Sequence, residues 1–286
     1  MFRITNKQIL APDVKRLDIA APSIARVVKP GQFVVVIPQD RGKWIPLAVT
    51  GADPRRGVLT LVFKEIGSAT KILGAMAINE NIFSVTGPFG NPARIEKRGN
   101  VICVASGIGT AQILPICRAL KEAGNKVIGI MEGHRRRDLM LEPQMRLACN
   151  HLILAITEGL HERARTARET VREWIRRESI GLVYTVGNVA MMEAIAVLAK
   201  EHGIAARVQL NPLIQCGRGL CGSCRVNKHK GPVLACQHGP EFDAHELDFA
   251  SVRARLKALE DDQDPRPLEP KNDPAAKFFP GLLRKT

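Results

Sequence analysis

Aromatic residues are scarce in this chain: they make up 4% of 286 residues, with one tyrosine and two tryptophans. Proteins that hold single-stranded nucleic acid stack the bases on aromatic faces, and too few are present here to build such a platform. Long apolar runs are also missing. The longest, Phe33–Pro38 and Gly181–Val186, are strand-sized, far below the ~20 residues that cross a bilayer, so no membrane span is expected. The opening Met1-Phe2-Arg3-Ile4-Thr5-Asn6-Lys7 alternates like a strand and lacks a signal-peptide core, which points to the cytoplasm. Acidic residues are outnumbered, 28 against 42 Lys plus Arg, for a net charge of +14.

A basic face can bind phosphate backbones, and Arg163, Arg165, Arg168, Arg172, Arg176 and Arg177 would supply one. The aromatic shortage turns that reading, a nucleic-acid-binding or redox-sensing module, into the distant alternative. A docking field for an acidic partner is expected instead, with Phe278, Phe279, Leu282 and Leu283 as an apolar anchor.

What is present divides the chain. Up to residue 96, short apolar segments (Gln8–Leu10, Val14–Ile19, Gln32–Ile37, Leu47–Thr50, Val58–Phe63, Asn81–Val85) alternate with turn residues and predict an antiparallel β-barrel. Over residues 97–210 strands and helices take turns, which predicts an α/β domain with a parallel sheet covered on both faces. Ala167, Val171, Trp174 and Ile175, for example, share one face of a helix. Residues 211–246 form a Gly- and Cys-rich segment, and 247–286 are expected as an amphipathic helix followed by an extended, proline-rich tail.

The seven cysteines fall into two groups. Cys103, Cys117 and Cys149 sit in apolar text and read as core residues. Cys216, Cys221, Cys224 and Cys236 have the spacing C-x4-C-x2-C-x11-C, whose first three positions match a plant-type [2Fe–2S] loop. Gly217, Gly219 and Gly222 suit a loop whose amides must approach inorganic sulfide closely. A structural zinc site is the rival reading, but it usually takes two CxxC-like pairs and one is present. His229, His238 and His245 are read as solvent-facing rather than as ligands.

Two glycine turns join strand to helix. Ser106-Gly107-Ile108-Gly109-Thr110 follows the apolar Val101–Ala105, and Gly187-Asn188 follows Tyr184–Val186. Such turns aim backbone N–H groups at a pyrophosphate, or serve helix packing alone. No nucleophile elbow and no HExxH motif is found.

In combination these motifs resemble the ferredoxin-NADP-reductase superfamily, in the branch with an appended [2Fe–2S] segment. That branch includes the electron-transfer subunit of dihydroorotate dehydrogenase and the small subunit of NADH-dependent ferredoxin:NADP oxidoreductase. The resemblance is carried by Gly31-Gln32-Phe33-Val34, Ile45-Pro46-Leu47, Gly67-Ser68-Ala69-Thr70, Gly87-Pro88-Phe89-Gly90-Asn91, the two glycine turns with Met191-Met192, and Asn211-Pro212 before the cysteines. The tail Gly239-Pro240-Glu241-Phe242-Asp243 is similar to the ferredoxin:NADP oxidoreductase subunit in particular.

The resemblance implies FAD between barrel and nucleotide domain. Pro46, Leu47, Ala48 and Val49 would line the flavin, Phe63 and Lys64 would lie beside it, and Gly67, Ala69 and Thr70 would contact its diphosphate. Gly107, Ile108, Gly109 and Thr110 would flank NAD(H) or NADP(H), with Gly187, Asn188 and Met191 across the cleft, and the four clustered cysteines would ligate the [2Fe–2S] cluster. Many relatives carry an arginine near Trp44-Ile45 and a Thr or Ser where Ala48 stands; the ferredoxin-type relative tends to carry Asp at the position of Cys216. The implied activity passes electrons between NAD(P)H, FAD and the cluster, to or from a larger flavin or iron–sulfur subunit, or ferredoxin. Service as the dihydroorotate dehydrogenase subunit is the near alternative. Glu132 after the second nucleotide-domain strand favours NAD(H), while Arg135, Arg136 and Arg137 could hold the 2′-phosphate of NADP(H); the balance is put on NAD(H).

Overall fold

The computed structural model of the chain describes residues 2–158 and 165–261. Arg163, the tail beyond residue 261 and its anchor Phe278, Phe279, Leu282 and Leu283 lie outside the described residues.

The N-terminal part contains β1 (Phe2–Ala11), β2 (Val14–Ala20), α1 (Pro22–Ala25), β3 (Phe33–Ile37), β4 (Ile45–Asp53), β5 (Val58–Lys64), α2 (Ser68–Ala75), β6 (Asn81–Ile82) and β7 (Ser84–Phe89). The strands form one antiparallel sheet in the order β6-β1-β2-β5-β4-β3-β7, curled into a near-closed barrel. The single segment expected over Asn81–Val85 is broken at Phe83, whose N–H donates to Pro38 O at 3.1 Å. β6 thereby pairs with β1 at one edge and β7 with β3 at the other, so one change of partner brings the edges together. Ile4, Leu17, Val34, Val36, Leu47, Val49, Leu61 and Phe63 fill the interior.

The second part contains β8 (Asn100–Ser106), α3 (Gly109–Glu122), β9 (Lys126–Gly133), α4 (Glu142–Ala148), β10 (His151–Ile156), α5 (Ala167–Arg177), β11 (Ile180–Val186), α6 (Val189–Glu201) and β12 (Ala205–Gln209). These strands are parallel, in the order β10-β9-β8-β11-β12. Val101, Cys103 and Ala105 of β8 pack with α3 and α4 residues, while Ile102 and Val104 pack with those of α5 and α6. Burial on both faces is what the continuous apolar text of β8 requires. The order reverses direction between β8 and β11, and the crevice at such a point is where open α/β sheets bind ligands.

The cysteine segment adds β13 (Arg225–Lys228), β14 (Gly231–Leu234), α7 (Ala235–His238) and β15 (Glu241–Asp243), followed by α8 (Phe249–Asp261). β15 pairs antiparallel with β12, with Val208 opposite Phe242, so the chain leaves the sheet after Gln209 and rejoins its edge at Glu241. The Glu241 side chain, 4% exposed, has Arg94 Nε at 2.8 Å. It also accepts from the Tyr184 hydroxyl at 2.9 Å. Arg207 Nη1 donates to Arg94 O at 2.5 Å. One buried carboxylate thus ties β15, β11 and the link between barrel and sheet.

Candidate functional site

The cysteine segment lies on the outside of the barrel. A β-carbon on Gly217 would come within 2.7 Å of Val35 Cγ2 and 2.9 Å of Phe33 Cε2, and its φ is +70°. Phe33 and Val35 point away from the barrel interior; Val34 and Val36 point into it. On the neighbouring β4, Ala48 is opposite Phe33 and Pro46 opposite Val35. Strand neighbours lie about 5 Å apart, so the loop rests one strand from the outer face of β4. Arg218 caps the contact, its guanidinium 4.8 Å from the Trp44 ring centroid.

The four clustered sulfurs meet. Cys221 and Cys236 hydrogen-bond to Cys216, which holds that thiol well below its ordinary value. A hydrogen bond from Cys236 brings Cys224 down to about 6. The donated protons are correspondingly held on Cys221 and Cys236. Backbone amides join in: Arg218 N lies 3.4 Å from Cys216 Sγ, and Cys236 N lies 3.4 Å from Cys224 Sγ. Cys224 and Cys236 are buried, whereas Cys216 and Cys221 are partly open to solvent. Among the described residues no group of three or more His, Cys, Asp or Glu is arranged to hold a single metal ion. Four thiols, two of them favoured as thiolates, on a loop with glycines at positive φ fit the donor set of an iron–sulfur cluster. Of the three histidines nearby, His229 and His238 are exposed, as expected. His245 is partly buried, with Nε2 2.8 Å from Ile204 O, because it packs where β15 joins the sheet.

Along β4 the side chains alternate. Pro46 and Ala48 are half-buried on the outer face, whereas Leu47 and Val49 are buried in the barrel core. Phe63 also points inward at 2% exposure, and Lys64 is exposed and ion-paired with Asp13 at 3.1 Å. A ligand on this face would meet the side chains of Pro46 and Ala48 but only the backbone of Leu47 and Val49. An isoalloxazine ring suits such a wall, small and apolar. Gly67 is the N-cap of α2, and no acidic residue stands in the helix's first turn. Thr70 Oγ1 accepts from Gly67 N at 3.0 Å, and Ala69 packs on the barrel core. That start leaves room and a positive dipole end for a diphosphate.

The two glycine turns touch. Asn188 N donates to Ser106 Oγ at 2.9 Å. A β-carbon on Gly187 would lie 2.8 Å from Ser106 O, and one on Gly109 would overlap Val186 O. The turns therefore sit side by side at the reversal point of the sheet, with Gly107 exposed at φ +53°. Ile108 is partly exposed, and Thr110 is buried with its N–H given to Gly107 O at 3.1 Å. Asn188 caps α6, its Oδ1 accepting from Ala190 N at 2.8 Å and Met191 N at 3.4 Å. Met191 is 8% exposed and packs in the core beneath α6. β4 packs against α3, which brings the first glycine turn to the barrel.

Beyond the second turn an open groove of about 510 Å³ runs between α5 and α6, lined by residues that include Glu132, Arg168, Arg172, Asn188 and Met191. Its α5 wall includes Arg168 and Arg172, which the sequence places in a basic face for phosphate backbones or for docking an acidic partner rather than beside the nucleotide turns. Arg135 and Arg136 are held instead by Glu158 at 2.7 Å and Glu142 at 3.1 Å.

A family profile described as the iron–sulfur cluster binding domain of dihydroorotate dehydrogenase B matches residues 211–248. A protein of Thermotoga maritima named dihydroorotate dehydrogenase B (NAD(+)), electron transfer subunit homolog is 34% identical over 253 residues, covering 88% of this chain and 89% of that one. A solved structure described as giving insights into flavin-based electron bifurcation via NADH-dependent reduced ferredoxin-NADP oxidoreductase superposes with a TM-score of 0.85 at 32% identity, over 92% of this chain and 95% of the other. A ferredoxin NADP+ reductase from Neisseria gonorrhoeae with bound FAD and NADP shares the fold, with a TM-score of 0.56 at 17% identity over 71% of this chain and 90% of that one.

Proposed function

The chain belongs to the family of dihydroorotate dehydrogenase B electron-transfer subunits and their homologues, and from that premise we propose that it carries electrons between a nicotinamide dinucleotide and a partner oxidoreductase subunit by way of FAD and a [2Fe–2S] cluster. The observation that carries this reading is the seating of the cysteine loop on β3, one strand from Pro46 and Ala48. When bound, the nucleotide and flavin supply hydride chemistry and the cluster supplies one-electron transfer.

The chain's own residues hold and orient. Cys216, Cys221, Cys224 and Cys236 ligate the metal, and Gly217 lets their loop lie flat on Phe33 and Val35. Pro46 and Ala48 give the flavin a flat wall, with the backbone of Leu47 and Val49 between them; Lys64 borders it, Phe63 backs it from the barrel core rather than beside the flavin as expected, and Gly67, Ala69 and Thr70 frame the diphosphate at the start of α2. Gly107, Ile108, Gly109 and Thr110 stand beside Gly187, Asn188 and Met191, so that the two turns together form one wall of the nucleotide site rather than opposite sides of a cleft. No protonic group is required to do chemistry at this site, in keeping with the lack of any acid–base constellation in the sequence.

Cys216 and Cys221 are the more exposed ligands, beside Arg218 and Trp44, so the partner subunit docks on this side. The reading closest to the ferredoxin:NADP oxidoreductase match makes that partner a larger flavin or iron–sulfur protein, with ferredoxin as a further donor or acceptor. The net charge of +14 favours an acidic docking face.

Anaerobically purified protein tests the proposal. The expected result is a flavin and iron–sulfur absorption spectrum that bleaches on adding NADH or NADPH, with the reduced cluster visible by electron paramagnetic resonance. A colourless, zinc-replete protein would overturn it.

A further inference from the structure

The loop that carries the clustered cysteines is held from outside by one side chain of α8. Arg255 reaches back from that helix, its Nε donating to Ser223 O at 2.6 Å and its Nη2 to Gly222 O at 2.9 Å. The two carbonyls are consecutive and lie between Cys221 and Cys224, so the planar guanidinium engages both at once, as its rigid fork of donors allows. Arg255 is partly buried, and 32 and 33 residues separate it from these acceptors. Its helix is itself anchored beside the loop. Asn227 N donates to Ser251 Oγ at 3.1 Å, one turn before Arg255, and Asp248 N donates to Asn227 O at 3.0 Å. The family profile ends at residue 248, so α8 and Arg255 lie outside the stretch described as the iron–sulfur domain.

What Arg255 fixes is the direction of a peptide group. In a trans peptide the C=O and N–H point opposite ways in one plane. Gly222 O and Ser223 N belong to the same peptide, so drawing the oxygen to Arg255 turns the N–H away from α8. It turns toward a metal ligand: Ser223 presents both its N–H and its hydroxyl to the Cys221 sulfur. Gly222 O also accepts from Arg225 N at 3.2 Å, which closes the turn. Gly222 itself, at φ +68° with open space where a β-carbon would be, has no side chain to hold this peptide. Cys221 is one of the two ligands partly open to solvent. A hydrogen bond to a ligand sulfur and a positive charge nearby both favour the reduced cluster, which carries one more negative charge.

We infer that Arg255 is a positioning residue for the iron–sulfur cluster: it holds the Gly222–Ser223 peptide so that its N–H meets the Cys221 sulfur, and it thereby raises the reduction potential of the cluster. The inference rests on the metal site proposed above and adds to it a control of potential supplied by the C-terminal helix.

The test is a redox titration of the full-length, cofactor-loaded protein, with the cluster read by electron paramagnetic resonance and the flavin by absorbance, alongside the rate of iron release to a chelator. Arg255→Gln is expected to lower the cluster potential by about 59 mV, a tenfold change in its one-electron equilibrium. It should also speed iron release about tenfold and leave the flavin potential where it was. Arg255→Lys keeps the charge but has no fork for two carbonyls, so it should fall between the Gln variant and the unaltered protein in both readouts; it supplies the reading if the Gln variant folds poorly. Arg253→Gln removes an equal charge from the same helix, where Arg253 pairs with Glu193, and should change neither. A cluster potential unchanged in the Arg255 variants, even with faster iron loss, overturns the inference, and so does an equal shift in Arg253→Gln. An unaltered protein that holds no iron–sulfur cluster overturns the metal site itself, and the inference with it.

Discussion

The hydroxyl of Tyr184, the chain's one tyrosine, donates to Glu241 at 2.9 Å in a setting closed to solvent. Burial, and then the negative charge of Glu241, push the phenol well above its ordinary value of 10.0. A group whose folded-state pKa is raised adds stability that is complete below the unfolded value and declines as pH rises toward the folded one.

The single tyrosine makes this relationship measurable. In an alkaline titration followed at the tyrosinate band, no absorbance change should occur near pH 10, where an exposed tyrosine ionises. The band should rise only together with loss of folded structure. A reversible step near pH 10 in the folded protein would contradict the contact. Tyr184→Phe should abolish the band altogether, which confirms its assignment, and lower stability by about 1–3 kcal/mol, since Glu241 loses a buried donor.

Gly217 and Gly222 separate two effects in the metal loop. Both have positive φ, +70° and +68°, but only a β-carbon at Gly217 meets its surroundings, within 2.7 Å of Val35; at Gly222 there is open space. Gly222→Ala should cost about 1–2 kcal/mol of backbone strain. Gly217→Ala should cost that and also lift the loop off β3, lowering iron and sulfide content per chain and slowing cluster reduction more than flavin reduction. Equal behaviour of the two variants would count against the seating of the loop on the barrel.

At Gly67, stability and ligand binding should move in opposite directions. The position is the N-cap of α2, its β-carbon would meet nothing within 4 Å, and its φ of −141° suits any residue. Gly67→Asp supplies a side-chain cap and should raise the melting temperature of the flavin-free protein slightly, by a few tenths of a kcal/mol in stability. The same carboxylate would face the diphosphate and should weaken FAD binding about tenfold or more, as read by fluorescence on flavin release. Unchanged FAD affinity would remove the diphosphate from α2.

Gly109 holds the two nucleotide turns together. A β-carbon there overlaps the carbonyl of Val186, which is backbone and cannot yield by rotating a side chain. Gly109→Ala should therefore depress reduction of the flavin by nicotinamide nucleotide at least tenfold while leaving the cluster spectrum intact. Loss of the cluster in the same variant would show that the damage is global.

Much of this arrangement was legible in the sequence because it is local. The alternation of strands and helices after Asn100, and the spacing of the four cysteines, are written in consecutive residues. The α5 capping box, Thr166 with Glu169, could likewise be read from a spacing of three. What was hidden depends on register and on distant partners. Leu47 and Val49 share a strand with Pro46 and Ala48, and only the pairing with β3 shows that they turn inward. β15 is three residues long and has no period to detect; its place is fixed by β12. The engagement of Glu132, Arg135 and Arg136 follows from partners six to 35 residues away, beyond any motif.

The return of the chain at β15 makes the metal segment an inset. Leu210 N donates to Pro240 O at 3.0 Å, so the excursion between them begins and ends at one point. A hydrogen-bonded mouth of this kind lets the excursion change length at little cost: replacing about thirty residues by a four-residue turn alters closure entropy by only about 2 kcal/mol. The excursion can therefore be treated as a cassette. A chain with Leu210 joined to Pro240 through a short turn, and polar residues at Phe33 and Val35 where the loop had covered them, should fold as a two-cofactor reductase that accepts electrons but has no wired exit.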